Sequence, residues 1–131
     1  MATITVLFAD DNEDMIAELK EELGDRFKIL GAAENGEQAM EMALRLGPNV
    51  LVLDIAMPLL TGLEVAEKLR DKLPATRILF LTIHEEPEYI SAAFCAGACG
   101  YVTKRRVASD LACAIREIHE GRMFLSPTLR R

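Results

Sequence analysis

The sequence predicts an open α/β fold in which helices cover both faces of a five-stranded parallel sheet. Apolar, β-branched segments alternate with amphipathic segments about five times along the 131 residues. The strand segments are apolar throughout, which is typical of parallel strands that are buried on both faces. A closed eight-stranded barrel would need about twice this length, so we expect a doubly wound sheet with free edges.

The first half of the chain predicts three strands and two helices. Apolar, β-branched runs predict strands at Thr3–Ala9, Phe27–Ala33 and Val50–Leu53. Apolar residues at spacings of three and four predict a helix after each of the first two strands; they are Met15, Ile16, Leu19 and Leu23, then Ala39, Met40, Ala43 and Leu44. Gly24 ends the first of these helices, and Gly47-Pro48 ends the second.

The second half continues the same alternation. Leu63, Ala66, Leu69 and Leu73 mark a third helix, which Pro74 closes. Two further strands are predicted at Arg77–Thr82 and Gly100–Thr103. Pro87 suits the first turn of a helix that runs between them to about residue 96. A last helix is marked by Leu111, Ile115 and Ile118 and stops at Gly121.

Composition and charge exclude several classes of protein. Lys and Arg number 15 and Asp and Glu number 21, which gives a net charge of −6. Surfaces that bind nucleic acid are normally basic, so we do not expect this chain to hold DNA by itself. No apolar run has the length of a membrane span or the setting of a signal peptide, which predicts a cytoplasmic protein that does not associate with membranes. The odd number of cysteines, 3, favours free thiols over a disulfide framework.

Polar residues stand at the ends of four of the five predicted strands. They are Asp10 and Asp11 after the first strand, Asp54 after the third, Thr82 at the end of the fourth and Lys104 after the fifth. Taken singly, each has an ordinary interpretation, because acidic residues suit helix starts and turns and most lysines are solvated. Ligands of open α/β sheets bind beyond the carboxyl ends of the strands, so we expect these residues to converge on one edge.

A shared edge for these residues predicts phosphoryl chemistry. Three carboxylates repel one another unless a cation joins them, and an all-oxygen site that keeps several waters suits Mg²⁺. An ammonium group, a hydroxyl and a metal together match the oxygens of a transferring phosphoryl group. A carboxylate can itself be the nucleophile, and Asp54 is favoured because it follows the central, continuously apolar strand.

Several motifs resemble a known family, in matching order and at matching intervals from residue 4 to about 120. They are Ala9-Asp10-Asp11, Leu53-Asp54-Ile55-Ala56-Met57-Pro58 with Gly62, Leu81-Thr82, and Gly100-Tyr101-Val102-Thr103-Lys104. Each motif is weak alone, but the set is similar to the response-regulator receiver domain. The resemblance implies a flavodoxin-like (βα)5 fold with strand order 2-1-3-4-5, and a phosphoryl group accepted from a histidine kinase.

The resemblance also implies roles for the residues at the chemical centre. Asp54 is expected to be the phosphoacceptor. Asp10 and Asp11 are expected to hold Mg²⁺ together with Asp54 and the backbone carbonyl of Ala56. Lys104 is expected to pair with the phosphate.

Two further residues are implied to form a switch. Thr82 is expected to move onto a phosphoryl oxygen, and Tyr101 is expected to rotate inward behind it. Without the resemblance, Tyr101 reads equally well as a half-buried strand tyrosine. The implied protein is a signalling switch rather than a turnover enzyme, and phosphorylation is expected to favour a homodimer through a face that the sequence does not identify.

The end of the chain predicts a receiver domain at residues 1–121 and the start of a linker at 122–131. Arg105, in place of a common proline, and the segment Gly121–Pro127 resemble the LuxR/FixJ (NarL) subclass. That subclass implies a DNA-binding helix-turn-helix domain beyond Arg131, which would carry all DNA contacts. The alternative is a stand-alone receiver that docks on proteins in a phosphorelay.

Two other functions fit less well. A phosphatase of the haloacid-dehalogenase type needs a second acid two residues after its nucleophile, where this chain has Ala56. A flavodoxin needs a Ser/Thr/Gly phosphate loop after the first strand, where the acidic run 10–13 would repel the phosphate of a flavin. The kinase, the signal, the regulated genes and the lifetime of the phosphorylated form are not encoded in any recognisable pattern.

Overall fold

A computed structural model describes residues 3–130 and contains one parallel sheet of six strands in the order β2-β1-β3-β4-β5-β6. The strands are β1 (Thr5–Ala9), β2 (Lys28–Ala33), β3 (Val50–Leu53), β4 (Arg77–Thr82), β5 (Gly100–Thr103) and β6 (Phe124–Leu125). The helices are α1 (Glu13–Leu23), α2 (Gly36–Leu46), α3 (Gly62–Lys72), α4 (Pro87–Cys95) and α5 (Val107–His119). The predicted flavodoxin-like fold is confirmed, with its first five strands in the expected order. None of the helices in this part of the chain is long and apolar enough to cross a membrane.

The helices divide into two layers because side chains alternate across the strands. Leu7 belongs to one apolar cluster, which α2, α3 and α4 cover. Phe8 belongs to the other, which α1 and α5 cover. Both residues are completely buried. Burial on both faces of the sheet therefore explains why its strands are apolar throughout.

The sixth strand was not expected from the sequence. Phe124 and Leu125 pair in parallel with Gly100 and Tyr101 on the outer edge of β5. A strand of two residues has no periodic pattern, so its position depends on the edge of the sheet that receives it. The boundary at residue 121 and the linker at 122–131 stay predictions. Within that segment, Phe124 and Ser126 are buried. Arg131 lies outside the described residues.

Side-chain caps fix the starts of α1 and α3 at the carboxyl edge of the sheet. The Asn12 side chain accepts hydrogen bonds from the backbone N–H groups of Asp14 and Met15. Thr61 and Glu64 form a reciprocal capping box at the start of α3. These bonds satisfy donors that a helix leaves unpaired, and they fix where the connecting loops end.

The loop between β3 and α3 folds closely onto the backbone of Asp54. The Gly62 N–H donates to the Ile55 carbonyl at 2.8 Å. A Cβ atom on Gly62 would lie 2.0 Å from the carbonyl oxygen of Asp54. Only glycine permits this approach, so Gly62 determines how α3 sits beside the Asp54 backbone.

We expect Gly62→Ala to lower the free energy of unfolding by about 2–3 kcal/mol, because the new methyl group meets backbone that cannot move aside cheaply. Gly31→Ala is the matched control. Its added Cβ meets the terminal methyl of Met42 at 2.8 Å, which is the end of a flexible side chain. Urea unfolding of both variants measures the difference, and equal losses would contradict the steric explanation.

Candidate functional site

Two buried carboxylates lie side by side at the carboxyl edge of the sheet. The register pairs Ala9 of β1 with Leu53 of β3, which places Asp10 opposite Asp54. Their exposed fractions are only 3% and 6%. Asp11 is exposed, and carboxylate oxygens of all three residues lie within 4.8 Å of one another. The predicted convergence of these acids is present in the structure, and the group could hold a metal ion.

Lys104 joins the two buried carboxylates. Its Nζ lies 2.8 Å from Asp10 Oδ2 and 3.0 Å from Asp54 Oδ2. Burial of the ammonium group opposes its protonation, but the hydrogen bonds that it donates to Asp10 and Asp54 outweigh burial and raise the pKa of Lys104. With the acids ionised, three carboxylates and one ammonium leave the site two negative charges in excess (−3 + 1 = −2). That excess matches the charge of a divalent cation.

Backbone hydrogen bonds hold both buried acids in place. The Asp10 N–H donates to the Ala33 carbonyl and the Asp54 N–H donates to the Ala9 carbonyl, each at 3.0 Å. Asp10 Oδ1 also accepts from the Asn12 N–H at 2.9 Å. The two carboxylates therefore extend from fixed backbone, although loops follow them.

Thr82 and Tyr101 are both fully buried, and the backbone of His84 contacts each of them. The His84 N–H donates to Thr82 Oγ1 at 3.4 Å. The Tyr101 hydroxyl donates to the His84 carbonyl at 2.7 Å. Burial, followed by the negative charges of Glu86 and Asp54, raises the pKa of Tyr101 well above its usual range. Tyr101 thus occupies an inward position and is hydrogen-bonded to the same residue, His84, that is hydrogen-bonded to Thr82.

The structure places every predicted side chain of the site on one edge of the sheet. The register pairs Thr82 with Thr103, the residue before Lys104. The Thr82 hydroxyl and the Lys104 ammonium group therefore belong to the ends of two neighbouring strands. Ala56 lies two residues after Asp54 and is exposed. The role of its carbonyl as a metal ligand stays a prediction, as do the roles of the other site residues in phosphoryl transfer.

Two polar contacts near this edge were not expected from the sequence. Arg105 makes an ion pair with Glu85, which belongs to the loop between β4 and α4. Ser126 donates a hydrogen bond of 2.8 Å to Asp110 of α5, and both side chains are buried. In the sequence, Arg105 is notable only because it stands in place of a common proline. Partners that lie 16 and 20 residues apart are not visible in any local pattern.

Comparisons with known proteins agree with this geometry. Residues 6–116 match the family model of the response regulator receiver domain. The chain is 37% identical over 128 residues to the uncharacterized transcriptional regulatory protein YvfU of Bacillus subtilis (strain 168), an alignment that covers 96% of this chain and 64% of that protein. It is 34% identical over 127 residues to the nitrate/nitrite response regulator protein NarL of Escherichia coli (strain K12), covering 95% and 59%. The chain spans about three-fifths of the length of these relatives.

Solved structures agree as well. A two-component response regulator of the LuxR family from Aurantimonas sp. SI85-9A1 superposes with a TM-score of 0.92 at 28% identity, covering 98% of this chain and 93% of that one. The signal receiver domain of the putative response regulator NarL from Mycobacterium tuberculosis superposes with a TM-score of 0.88 at 27% identity, covering 93% and 100%.

We expect the free energy of unfolding to fall as the pH rises above the ordinary tyrosine value of 10.0. The unfolded chain then releases protons from Tyr101 and Lys104 that the folded chain retains. The stability that these groups contribute is complete below their unfolded pKa values and is lost as the pH rises through the higher folded values. Tyr101→Phe should therefore show a shallower fall in urea unfolding between pH 9 and 11.5. Equal slopes for this variant and the parent would contradict the buried phenol.

Proposed function

Because this chain belongs to the response-regulator receiver domain family, we propose that it accepts a phosphoryl group on Asp54 and acts as a switch on that basis. Receiver domains of two-component response regulators are signalling switches, and the family includes regulators of the NarL and LuxR types. The observation that carries the proposal is Lys104, which bridges Asp10 and Asp54 inside a cluster of three carboxylates.

Asp54 is the best nucleophile of the three acids. It follows β3, the central strand of the first five, and it is buried, whereas Asp11 is exposed. Asp10 Oδ1 already accepts a hydrogen bond from the Asn12 N–H, which leaves the Asp54 carboxylate the freer of the two buried acids. Attack by a carboxylate oxygen on the phosphorus of a phosphohistidine forms a P–O bond and breaks the P–N bond. The electron pair of that bond returns to the imidazole nitrogen, which takes up a proton, and an acyl phosphate remains on Asp54. The donor would be a sensor histidine kinase.

The acidic cluster fits Mg²⁺. Its ligands are hard oxygens, and its excess of two negative charges equals the charge of the ion. Asp10, Asp11, Asp54 and the backbone carbonyl of Ala56 would hold the ion. When bound, Mg²⁺ supplies charge neutralisation for the phosphoryl oxygens.

Lys104 and Thr82 supply the remaining contacts to the phosphoryl group. Lys104 stays protonated and already neutralises the carboxylate that attacks, so its ammonium can follow the charge onto a phosphoryl oxygen. Thr82 offers a hydroxyl donor, since its oxygen at present only accepts a long bond from His84. A bond from Thr82 to the phosphoryl group would pull on the segment that also binds Tyr101, and this couples the site to the surface around α4 and β5.

The activity of the whole protein is also a proposal. The relatives are longer than this chain and several are named transcriptional regulators. We infer a cytoplasmic transcription factor in which a helix-turn-helix domain after this segment binds DNA, and in which phosphorylation favours a homodimer. A stand-alone receiver that docks on protein partners is the alternative. Turnover of a small phosphate ester is disfavoured because Ala56 offers no acid to a leaving group.

We expect Asp54→Asn to prevent phosphorylation by a small-molecule donor such as acetyl phosphate, because an amide is a poor nucleophile. Asp71→Asn on the exposed side of α3 is the control and should be labelled as the parent is. Intact-protein mass spectrometry detects the added phosphoryl group. Labelling of Asp54→Asn at the parent's level, with peptide mapping that places the label away from residues 10 and 11, would contradict the assignment.

We expect Mg²⁺ to stabilise the parent against unfolding, by about 1.4 kcal/mol when the free ion is at ten times its dissociation constant. Asp11→Asn should lose most of this effect while it keeps the contacts of Lys104, which involve Asp10 and Asp54 only.

The control for this test is Asp14→Asn, which removes an exposed acid one turn away and should retain the Mg²⁺ effect. Thermal unfolding in EDTA and in a Mg²⁺ series gives the comparison. A parent without a Mg²⁺-dependent rise in Tm, or equal losses in the two variants, would refute the site.

A further inference from the structure

An ion pair joins the two loops that follow the strands of the switch residues Thr82 and Tyr101. Arg105 Nε donates to Glu85 Oε2 at 2.6 Å, and Arg105 Nη2 donates to Glu85 Oε1 at 2.9 Å. Glu85 belongs to the loop between β4 and α4, and Arg105 belongs to the turn that follows β5. A lysine could not make this two-point contact, which depends on the planar guanidinium group.

Each partner is adjacent to a residue of the site. Glu85 follows His84, whose carbonyl accepts the hydrogen bond from Tyr101. Arg105 follows Lys104, which is held by the buried carboxylates. The ion pair therefore ties the backbone that receives Tyr101 to the turn that Lys104 anchors.

We propose that Arg105 and Glu85 are a positioning pair, which holds the β4–α4 loop closed and thereby favours the buried position of Tyr101. The inference deepens the proposed function, on which its link to phosphorylation rests. It concerns residues that lie outside the phosphoryl site and outside the acidic cluster.

The loop has little else to hold it closed. Ile83 is 71% exposed, so this part of the loop gains almost nothing from apolar burial. The His84 ring stacks on Tyr89 of α4 with centroids 4.1 Å apart, and the His84 carbonyl binds Tyr101. Hydrogen bonds from Arg105 lower the pKa of Glu85, so the pair stays ionised at neutral pH. The ion pair thus joins the exposed side of this loop to the turn that follows β5.

The effect of the pair should be modest and sensitive to salt. The side chains of Arg105 and Glu85 are 60% and 35% exposed. Exposed ion pairs are weak and screened, so loss of this one should raise the ratio of outward to inward Tyr101 by roughly two- to fivefold. A surface pair with no positioning role would leave that ratio unchanged.

Tyr101 can be observed directly. The chain has no Trp and 2 Tyr, so in a Tyr89→Phe background Tyr101 is the sole strong fluorophore. This background keeps an aromatic ring to stack on His84. Acrylamide quenching of the fluorescence then measures how far Tyr101 is accessible, without any phosphorylation.

In this background we expect Arg105→Gln and Glu85→Gln each to raise the quenching constant. The quenching constant of the double variant should be no higher than that of either single variant, because each substitution already removes the whole ion pair. High salt should raise quenching in the background protein and leave the double variant unaffected. Arg122→Gln is the matched control, since Arg122 pairs with Glu117 and Glu120 beyond the site. Circular dichroism confirms that each variant is folded. Additive effects of the two substitutions, or quenching constants equal to that of Arg122→Gln, would overturn the positioning pair.

A second measurement tests the link to phosphorylation. If the inward position of Tyr101 belongs to the form that is phosphorylated, a variant that disfavours this position should show a lower phosphorylated fraction at a fixed acetyl phosphate concentration. An unchanged fraction, together with raised quenching, would overturn the link to phosphorylation. A parent that is never phosphorylated would contradict the proposed function, whereas the quenching data would still decide the positioning pair.

Discussion

The ammonium group of Lys104 between Asp10 and Asp54 is the interaction on which the site depends. Two carboxylates this deeply buried and this close would otherwise repel one another or take up a proton. A single cation from the end of β5 compensates them, and it reaches across β4 and β3 to do so. The parallel arrangement of the strands is what allows this, because it brings the ends of β1, β3 and β5 to one edge. With its acids ionised the site still has an excess of negative charge, which favours a cation over an anion.

The same edge offers a short route from the charged centre to the surface. His84 uses both of its backbone groups, the N–H toward Thr82 and the carbonyl toward Tyr101. In the proposed switch, a displacement of Thr82 would act on the residue whose carbonyl holds Tyr101 inside. The exposed loop around His84 can move at low cost because it buries little apolar surface. Strands hold the chemical groups of the proposed switch, whereas its response would pass through a weakly held loop.

The edge of β5 also receives the segment that follows α5. The Ser126 N–H donates to the Tyr101 carbonyl at 3.0 Å, while the Ser126 hydroxyl binds Asp110. Burial acts to raise the pKa of Asp110, but hydrogen bonds from Arg106 and Ser126 outweigh it and lower that pKa. The carboxylate of Asp110 is therefore a stable anchor at neutral pH. Backbone hydrogen bonds therefore link Tyr101 to the segment at β6, which lies among the last described residues of the chain.

The sequence alone determined the elements with a repeating pattern and the residues at their ends. Apolar strands and helical stripes revealed the five βα units, because burial on both faces and on one face leave distinct periods. Asp10, Asp54, Thr82 and Lys104 were found because strand ends of a parallel sheet share an edge.

Tertiary structure alone decided the contacts between segments without a pattern. Two residues of β6 form a strand only because β5 has an open edge to pair with. Glu85 meets Arg105 only because two loops from neighbouring strands are brought together, and exposed charged residues do not specify their partners in sequence. The inward position of Tyr101 likewise depends on a carbonyl that becomes available once the β4–α4 loop is folded.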